Sequence, residues 1–300
     1  MNDNILSVEK LTKFYGSLKA VNELSFSVKK GSVFGVLGPN GSGKSTTLGM
    51  LTSVINPTEG KFNWFEATEN EQYTKKLGTL LERPNFYGYM NAIDNLKIVA
   101  EIRGVSDDLI PDVLKSINLY ERRKSRFKTF SFGMQQRLAI GSALLGNPEV
   151  LILDEPTNGL DPEGIAEIRQ MIIEISKSGK TIILASHLLD EVQKVCSDVL
   201  ILKKGKKIFS GNVDNIGREG GIIEMISNNL PHLLEVVQTH PKITSAVIKE
   251  NMVKATASID FDVSDINKYL MEYGVFLSHL ANKKESLETQ FLELLKSDKS

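Results

Sequence analysis

Hydrophobic and polar positions change rhythm along the chain. Segments 5–8 and 24–28 alternate apolar and polar side chains, the period of a strand with one buried face. Lys29, Lys30 and Gly31 form a turn signal between this region and the next. Ser32 to Leu37 is a largely apolar run of buried-strand length, and it leads directly into a glycine-rich stretch. A helical pattern, Thr47 to Leu51, follows. From about Asn91 to Leu145 the pattern is mostly helical, with Pro111 and Pro148 as boundaries. Two further buried-strand runs, Val150–Leu153 and Thr181–Ala185, flank a helix predicted over Pro162–Lys177. Strand and helix alternating at this spacing predict an α/β fold with a mainly parallel sheet and helices on its faces.

After Gly211 the texture changes. Strands are predicted at Ile222–Ile226, Ile243–Ile248, Val253–Ala257 and near Val275–Leu280. Helices are predicted at Leu230–Val237, Val263–Tyr273 and Leu287–Leu295. The order β-α-β-β-α-β suits a small ferredoxin-like α+β domain with one added helix.

Composition adds bounds. A length of 300 residues suits two domains, and 41% hydrophobic residues can bury a sizeable core. Lys plus Arg number 36 against 37 Asp plus Glu, so bulk basicity gives no reason to expect nucleic-acid binding. The single cysteine, Cys196, excludes an intramolecular disulfide and suits a reducing compartment. No apolar run approaches the roughly 18 residues of a membrane span. The first residues lack the basic flank and apolar stretch of a secretory signal. These features lead us to expect an intracellular chain without a membrane span.

The glycine-rich stretch is Gly38-Pro39-Asn40-Gly41-Ser42-Gly43-Lys44-Ser45-Thr46, which matches G-x-x-x-x-G-K-[ST] between a predicted strand and a predicted helix. Such a loop turns its backbone N–H groups inward onto phosphate oxygens, and the helix adds its positive dipole end. Lys44 can reach β- and γ-phosphates, and the Ser45 hydroxyl can ligate Mg²⁺. The run Val150–Leu153 ends in Asp154 and Glu155. A buried strand holds acids at its end only where something compensates their charge. Mg²⁺ beside a triphosphate would do so, which assigns Asp154 to the metal. Glu155 is then placed to polarise an attacking water.

Together these motifs resemble those of the ATP-binding cassette proteins, the ATPase subunits of ABC transporters. Further matches follow in family order. Ser131 to Met134, followed by Gln135, Gln136 and Arg137, resembles the family signature; Asn158 to Asp161 resembles the D-loop. His187 resembles the switch histidine, and Tyr15 the aromatic residue that stacks on adenine. The resemblance covers about residues 5 to 215. It implies ATP as ligand, with His187 sensing the γ-phosphate and Ser131 and Gly133 meeting it from a second copy of the chain. That requires a head-to-tail dimer with two-fold symmetry. It also implies a separate membrane permease as partner and a place on the cytoplasmic face of the membrane. The expected division is a cassette over 1–215, with a helical subdomain at about 83–147, and an accessory domain over 216–300.

Two departures from the family pattern stand out. Glu82 occupies the position where the family usually has Gln; it could still contact metal-bound water. The signature reads Phe130-Ser131-Phe132-Gly133 rather than Leu-Ser-Gly-Gly. With the C-terminal extension, these features resemble the bacitracin and lantibiotic resistance or immunity type of bacterial exporter ATPase. Two weaker features are the aromatic stretch Phe86–Met90, which either resembles the groove where the family receives a permease helix or packs within the helical subdomain, and the basic runs 122–126 and 203–207, which are read as solvated turns in preference to an anionic-lipid contact. The alternative is a non-transport relative acting on ribosomes or DNA. A single cassette, and the short distance between Gly38 and Ser131, count against it. A simple P-loop kinase would lack the signature and D-loop.

Overall fold

The computed structural model describes residues 3–65, 73–82, 85–216, 222–257 and 263–283. The chain divides into two compact units, Met1–Val213 and Asp214–Ser300.

The first unit opens with two long strands, β1 (Asn4–Tyr15) and β2 (Leu18–Lys29), then β3 (Val33–Leu37), helix α1 (Lys44–Leu51) and β4 (Glu59–Trp64). Strands β2, β1 and β4 pair in that order as an antiparallel sheet. Each of the first two strands runs 12 residues, well beyond the short alternating segments legible in the sequence. The cause is irregular register. The β1–β2 ladder shifts between Val8 and Leu11, and Lys10 and Glu23 take left-handed φ of 47° and 50°. A bulge flips the faces of the residues that follow, so strict alternation breaks while the strand continues.

Strand β5 (Leu77–Leu80) precedes the helices α2 (Ala92–Arg103), α3 (Ile110–Ser116) and α4 (Phe132–Leu144). Asn91 caps α2 by accepting from Asp94 N at 2.9 Å, and Gly104 ends it in the left-handed region. Pro111 stands in the first turn of α3, where its missing N–H is harmless. Then follow β6 (Val150–Asp154), α5 (Pro162–Lys177), β7 (Thr181–Ser186), α6 (Leu189–Val195), β8 (Asp198–Lys203) and β9 (Lys206–Asn212). The six-stranded sheet has the order β5-β6-β7-β3-β8-β9, parallel except for the β8–β9 hairpin. Every position of β3, β6 and β7 is buried, as parallel strands covered on both faces require. Because these three strands are neighbours and parallel, their C-terminal ends lie side by side, where ligands bind in open α/β sheets.

One core joins the two sheets through α1, with Leu48, Met50 and Leu51 packed among Leu6, Val8, Phe34 and Ile152. Trp64 is fully buried there, and its Nε1 donates to Leu51 O at 2.9 Å, which fixes the end of α1 against β4.

The second unit contains β10 (Ile222–Ser227), α7 (Leu230–Gln238), β11 (Ile243–Lys249), β12 (Met252–Ala257), α8 (Val263–Glu272) and β13 (Leu277–Lys283). Its sheet has the order β11-β12-β10-β13 with every pairing antiparallel, the split arrangement of a βαββαβ chain. It carries its own core, with Leu233 and Val237 from α7 and Ile266 and Leu270 from α8 against Ile223, Met225, Val253 and Ala255. The last strand begins two residues later than its sequence pattern suggests, and the helix expected at Leu287–Leu295 lies outside the described residues. Among the described residues, no helix is long and apolar enough to cross a membrane.

Trp64→Phe removes the only partner-fixing indole and leaves the Leu51 carbonyl buried and unmet. The substitution is expected to cost about 2 kcal/mol of stability, read as a lower urea midpoint by far-ultraviolet circular dichroism.

Candidate nucleotide site

The site forms where β3, β6 and β7 end. After Leu37 the chain turns through Gly38–Gly43 and enters α1 at Lys44. Gly43, the residue before the helix, has φ 103°, and a Cβ there would lie 2.7 Å from Ala20 O. Only glycine supplies both that backbone angle and that clearance.

Lys44 is buried, yet its ammonium is well met. Nζ donates to Gly38 O at 2.8 Å and to Pro39 O at 3.3 Å, and it lies 3.2 Å from Glu155 Oε1 as an ion pair. The other oxygen of Glu155, Oε2, is 2.8 Å from His187 Nδ1. With its proton on Nδ1 the imidazole donates to the carboxylate. Lys44, Glu155 and His187 therefore form one charged chain across the ends of three strands that are far apart in sequence. Glu155 itself has φ 48°, a left-handed angle that a residue with a side chain takes at a cost. Its N–H donates to Ala185 O at 3.0 Å, which holds this backbone against β7.

Asp154 is 4% exposed, and its Oδ1 has no hydrogen-bond partner. Burial pushes its carboxyl above the ordinary carboxylate range; the neighbouring Glu155 and Glu82 push the same way, while the Ser45 hydroxyl and Lys44 oppose it. A buried acid with one oxygen lacking a partner, beside a serine hydroxyl, is a donor set that suits a hard cation such as Mg²⁺. Ser42 Oγ is also buried without a partner, inside the phosphate-type loop.

The remaining expected residues lie elsewhere. Tyr15 is 47% exposed at the end of β1, with Lys13 Nζ 5.4 Å from its ring centroid. Ser131 caps α4, accepting from Met134 N at 3.3 Å. Asp161 caps α5, accepting from Gly164 N at 3.0 Å. These two caps are neighbours, because a Cβ on Gly133 would lie 3.7 Å from Leu160 and one on Gly159 would lie 3.3 Å from Phe132. Among the described residues, no hydrogen bond or ion pair joins Tyr15, Ser131, Gly133 or Asp161 to the Lys44–Glu155–His187 chain. Glu82 is exposed, with φ 61°. Pro39, Asn40, Gly41 and Ser45 line the exposed rim of the loop, with Thr46 half-buried behind them. The aromatic stretch divides: Phe86 packs on Phe127 at 5.2 Å, while Tyr87 and Tyr89 are exposed. Sequence reading missed Gly205, which sits in a basic run yet is buried against the loop.

Comparison with known proteins agrees with the fold. A profile described as ABC transporter matches residues 21–158. The bacitracin transport ATP-binding protein BcrA of Bacillus licheniformis is 34% identical over 297 residues, covering 97% of each chain. The lantibiotic transport ATP-binding protein SrtF of Streptococcus pyogenes is 38% identical over 226 residues, covering 75% of this chain and 96% of that one. In structure, the chain is similar to cbiO1 of Clostridium perfringens, part of the ABC transporter complex cbiONQ. The TM-score is 0.65 at 30% identity, over 72% of this chain and 91% of that one.

The raised pKa of Asp154 sets a pH dependence. An acid whose folded-state pKa lies above its unfolded value costs stability at higher pH, and the cost disappears as pH falls toward that unfolded value, here 3.8. In metal-free buffer without nucleotide, Asp154→Asn is expected to raise the melting temperature at neutral pH. The gain should shrink toward zero as the buffer approaches the unfolded pKa.

A phosphate-type loop, a strand-end acid pair and a histidine meet on a cassette fold, and a relative 34% identical matches 97% of the chain: the chain belongs to the ABC transporter ATP-binding proteins, and it is an ATP-binding ATPase subunit.

Proposed function

We propose that this chain hydrolyses ATP as a Mg²⁺-dependent dimer and thereby drives a separate membrane permease that exports its substrate. The observation that carries the reading is the Lys44–Glu155–His187 chain beside the unmet oxygen of Asp154.

In this reading the loop from Gly38 to Gly43 and the first N–H groups of α1 cradle the phosphates. Lys44 faces the β- and γ-phosphates, and Tyr15 stacks on adenine. Ser45 and Asp154 would hold Mg²⁺, with Glu82 as a further acid near it, and the ion would offset the charge that builds on the phosphates. An arriving γ-phosphate competes with Glu155 for the Lys44 ammonium. Glu155 is thereby released to orient and deprotonate the attacking water, while His187 remains its hydrogen-bond partner and contacts the γ-phosphate.

Ser131, Gly133 and Asp161 act across the dimer. Their two helix caps adjoin each other but make no bond with the Lys44 chain in a single copy, which supports a role toward a second copy. ATP bound by both copies would then favour the closed pair, because only that state makes both sets of contacts. The exposed Tyr87 and Tyr89 suit the face that meets the permease, on the cytoplasmic side of the membrane. Support for a transport role comes from the relatives named for bacitracin and lantibiotic transport.

Glu155→Gln is expected to retain ATP binding, lower hydrolysis about 100-fold or more, and accumulate an ATP-bound dimer on gel filtration. Full hydrolysis in that variant would overturn the assignment of the base. Lys44→Ala is expected to weaken ATP binding by about ten- to a hundredfold in a titration with fluorescent nucleotide. Purification from native membranes should recover a multi-span subunit, and recovery with ribosomes instead would overturn the transport reading.

A further inference from the structure

The hairpin that joins β8 to β9 reaches into the phosphate-type loop. Lys203 pairs with Lys206, and the two turn residues, Lys204 and Gly205, have φ of 47° and 77°. Two left-handed residues in succession mark the tight turn whose twist matches a hairpin. Lys204 points to solvent, but Gly205 is buried. Both of its backbone groups are used. Gly205 N donates to Ser42 O in the loop at 3.0 Å, and Gly205 O accepts from Asn22 N of β2 at 2.8 Å.

The packing around it has no slack. A Cβ on Gly205 would lie 2.6 Å from Ala20 O and 3.2 Å from Lys19 O. A Cβ on Gly43 would meet the same Ala20 oxygen, and Gly205 Cα at 3.6 Å. The Ala20 carbonyl is thus wedged between two glycines, one in the loop and one in the hairpin. On the far side of the loop, a Cβ on Gly38 would lie 2.4 Å from Leu202 O, the residue that ends the buried part of β8. The loop is braced at Gly38, at Ser42 and at Gly43 by the hairpin and the start of β2.

From this bracing we infer that Gly205 is a positioning residue for nucleotide binding. Its amide holds the Ser42 carbonyl outward, so that the N–H groups of the loop keep their inward aim. Any side chain at 205 must move the hairpin away from Ala20 or move Ser42 with it. Since packing against backbone oxygen leaves nowhere for a methyl group to go, the displacement is passed to the loop. The inference rests on the reading that this loop holds the phosphates.

The test compares Gly205→Ala and Gly205→Asn with Gly179→Ala. Gly179 has φ 83° with nothing within 4 Å of a built Cβ, so it carries the backbone penalty without any contact. Asparagine tolerates the left-handed region better than alanine but keeps the Cβ. Both variants at 205 are expected to raise the KM for ATP about tenfold, with kcat at saturation within about threefold. Gly179→Ala is expected to lower the melting temperature without moving KM. Recovery of a normal KM in Gly205→Asn, or an equal KM shift in Gly179→Ala, would overturn the inference by leaving backbone strain as the cause. In the unsubstituted protein, hydrogen exchange at the Gly205 amide should slow when ADP is added, in step with residues 42–44. An unchanged rate would overturn it as well, even if the variants at 205 do not fold. If Lys44→Ala also leaves ATP affinity intact, the phosphate reading has failed; if only the Gly205 variants do so, the bracing alone has.

Discussion

A buried ammonium must be neutralised, and much of the cassette is arranged around how that is done for Lys44. Its partner cannot come from nearby sequence, because the loop on either side supplies carbonyls and glycines. The carboxylate comes instead from the end of β6, and the histidine that steadies it comes from the end of β7. Such a meeting requires β6, β7 and β3 to be adjacent, parallel and ended at the same level. The continuous apolar runs of those strands secure this arrangement, since each is buried on both faces. Core packing and charge compensation are therefore one constraint seen from two ends of the same strands.

Much of this was legible in the sequence because it rests on local signals. The loop motif combines glycine, lysine and serine at fixed spacing, and β6 carries its acids at a strand end. The helix Pro162–Lys177 runs over the expected residues, since proline and Asp161 mark its start. The elements of the second unit also follow their hydrophobic periods closely, apart from β13. What was not legible depends on long-range geometry. The irregular β1–β2 pairing broke the alternation that reveals strands. The basic run 203–207 reads as a solvated turn; Lys204, Lys206 and Lys207 are exposed, but the glycine at its centre is buried against the loop. No property of Gly205 taken alone distinguishes it from a turn glycine in open solvent such as Gly179.

Two helix caps illustrate how one residue can serve the fold and, in the proposed dimer, a ligand as well. The Ser131 oxygen accepts from the first turn of α4, and the Asp161 oxygen does the same for α5. A cap of this kind contributes about 1 kcal/mol to stability. It uses the hydroxyl of Ser131 only as an acceptor, so its hydrogen remains available to an anion outside the helix. A carboxylate has several lone pairs, so Asp161 too can serve its cap and a second contact together.

The left-handed backbone of Glu155 has a bearing on evolvability. Glycine would occupy this angle without penalty, but it would leave the buried Lys44 ammonium without its carboxylate, a loss that outweighs a backbone gain of about 1 kcal/mol. Selection for heat resistance alone would therefore hold the acid here, since the strained backbone comes with the ion pair that neutralises Lys44. A library screened by thermal challenge would keep the acid at this codon for its charge, and the backbone strain would persist with it.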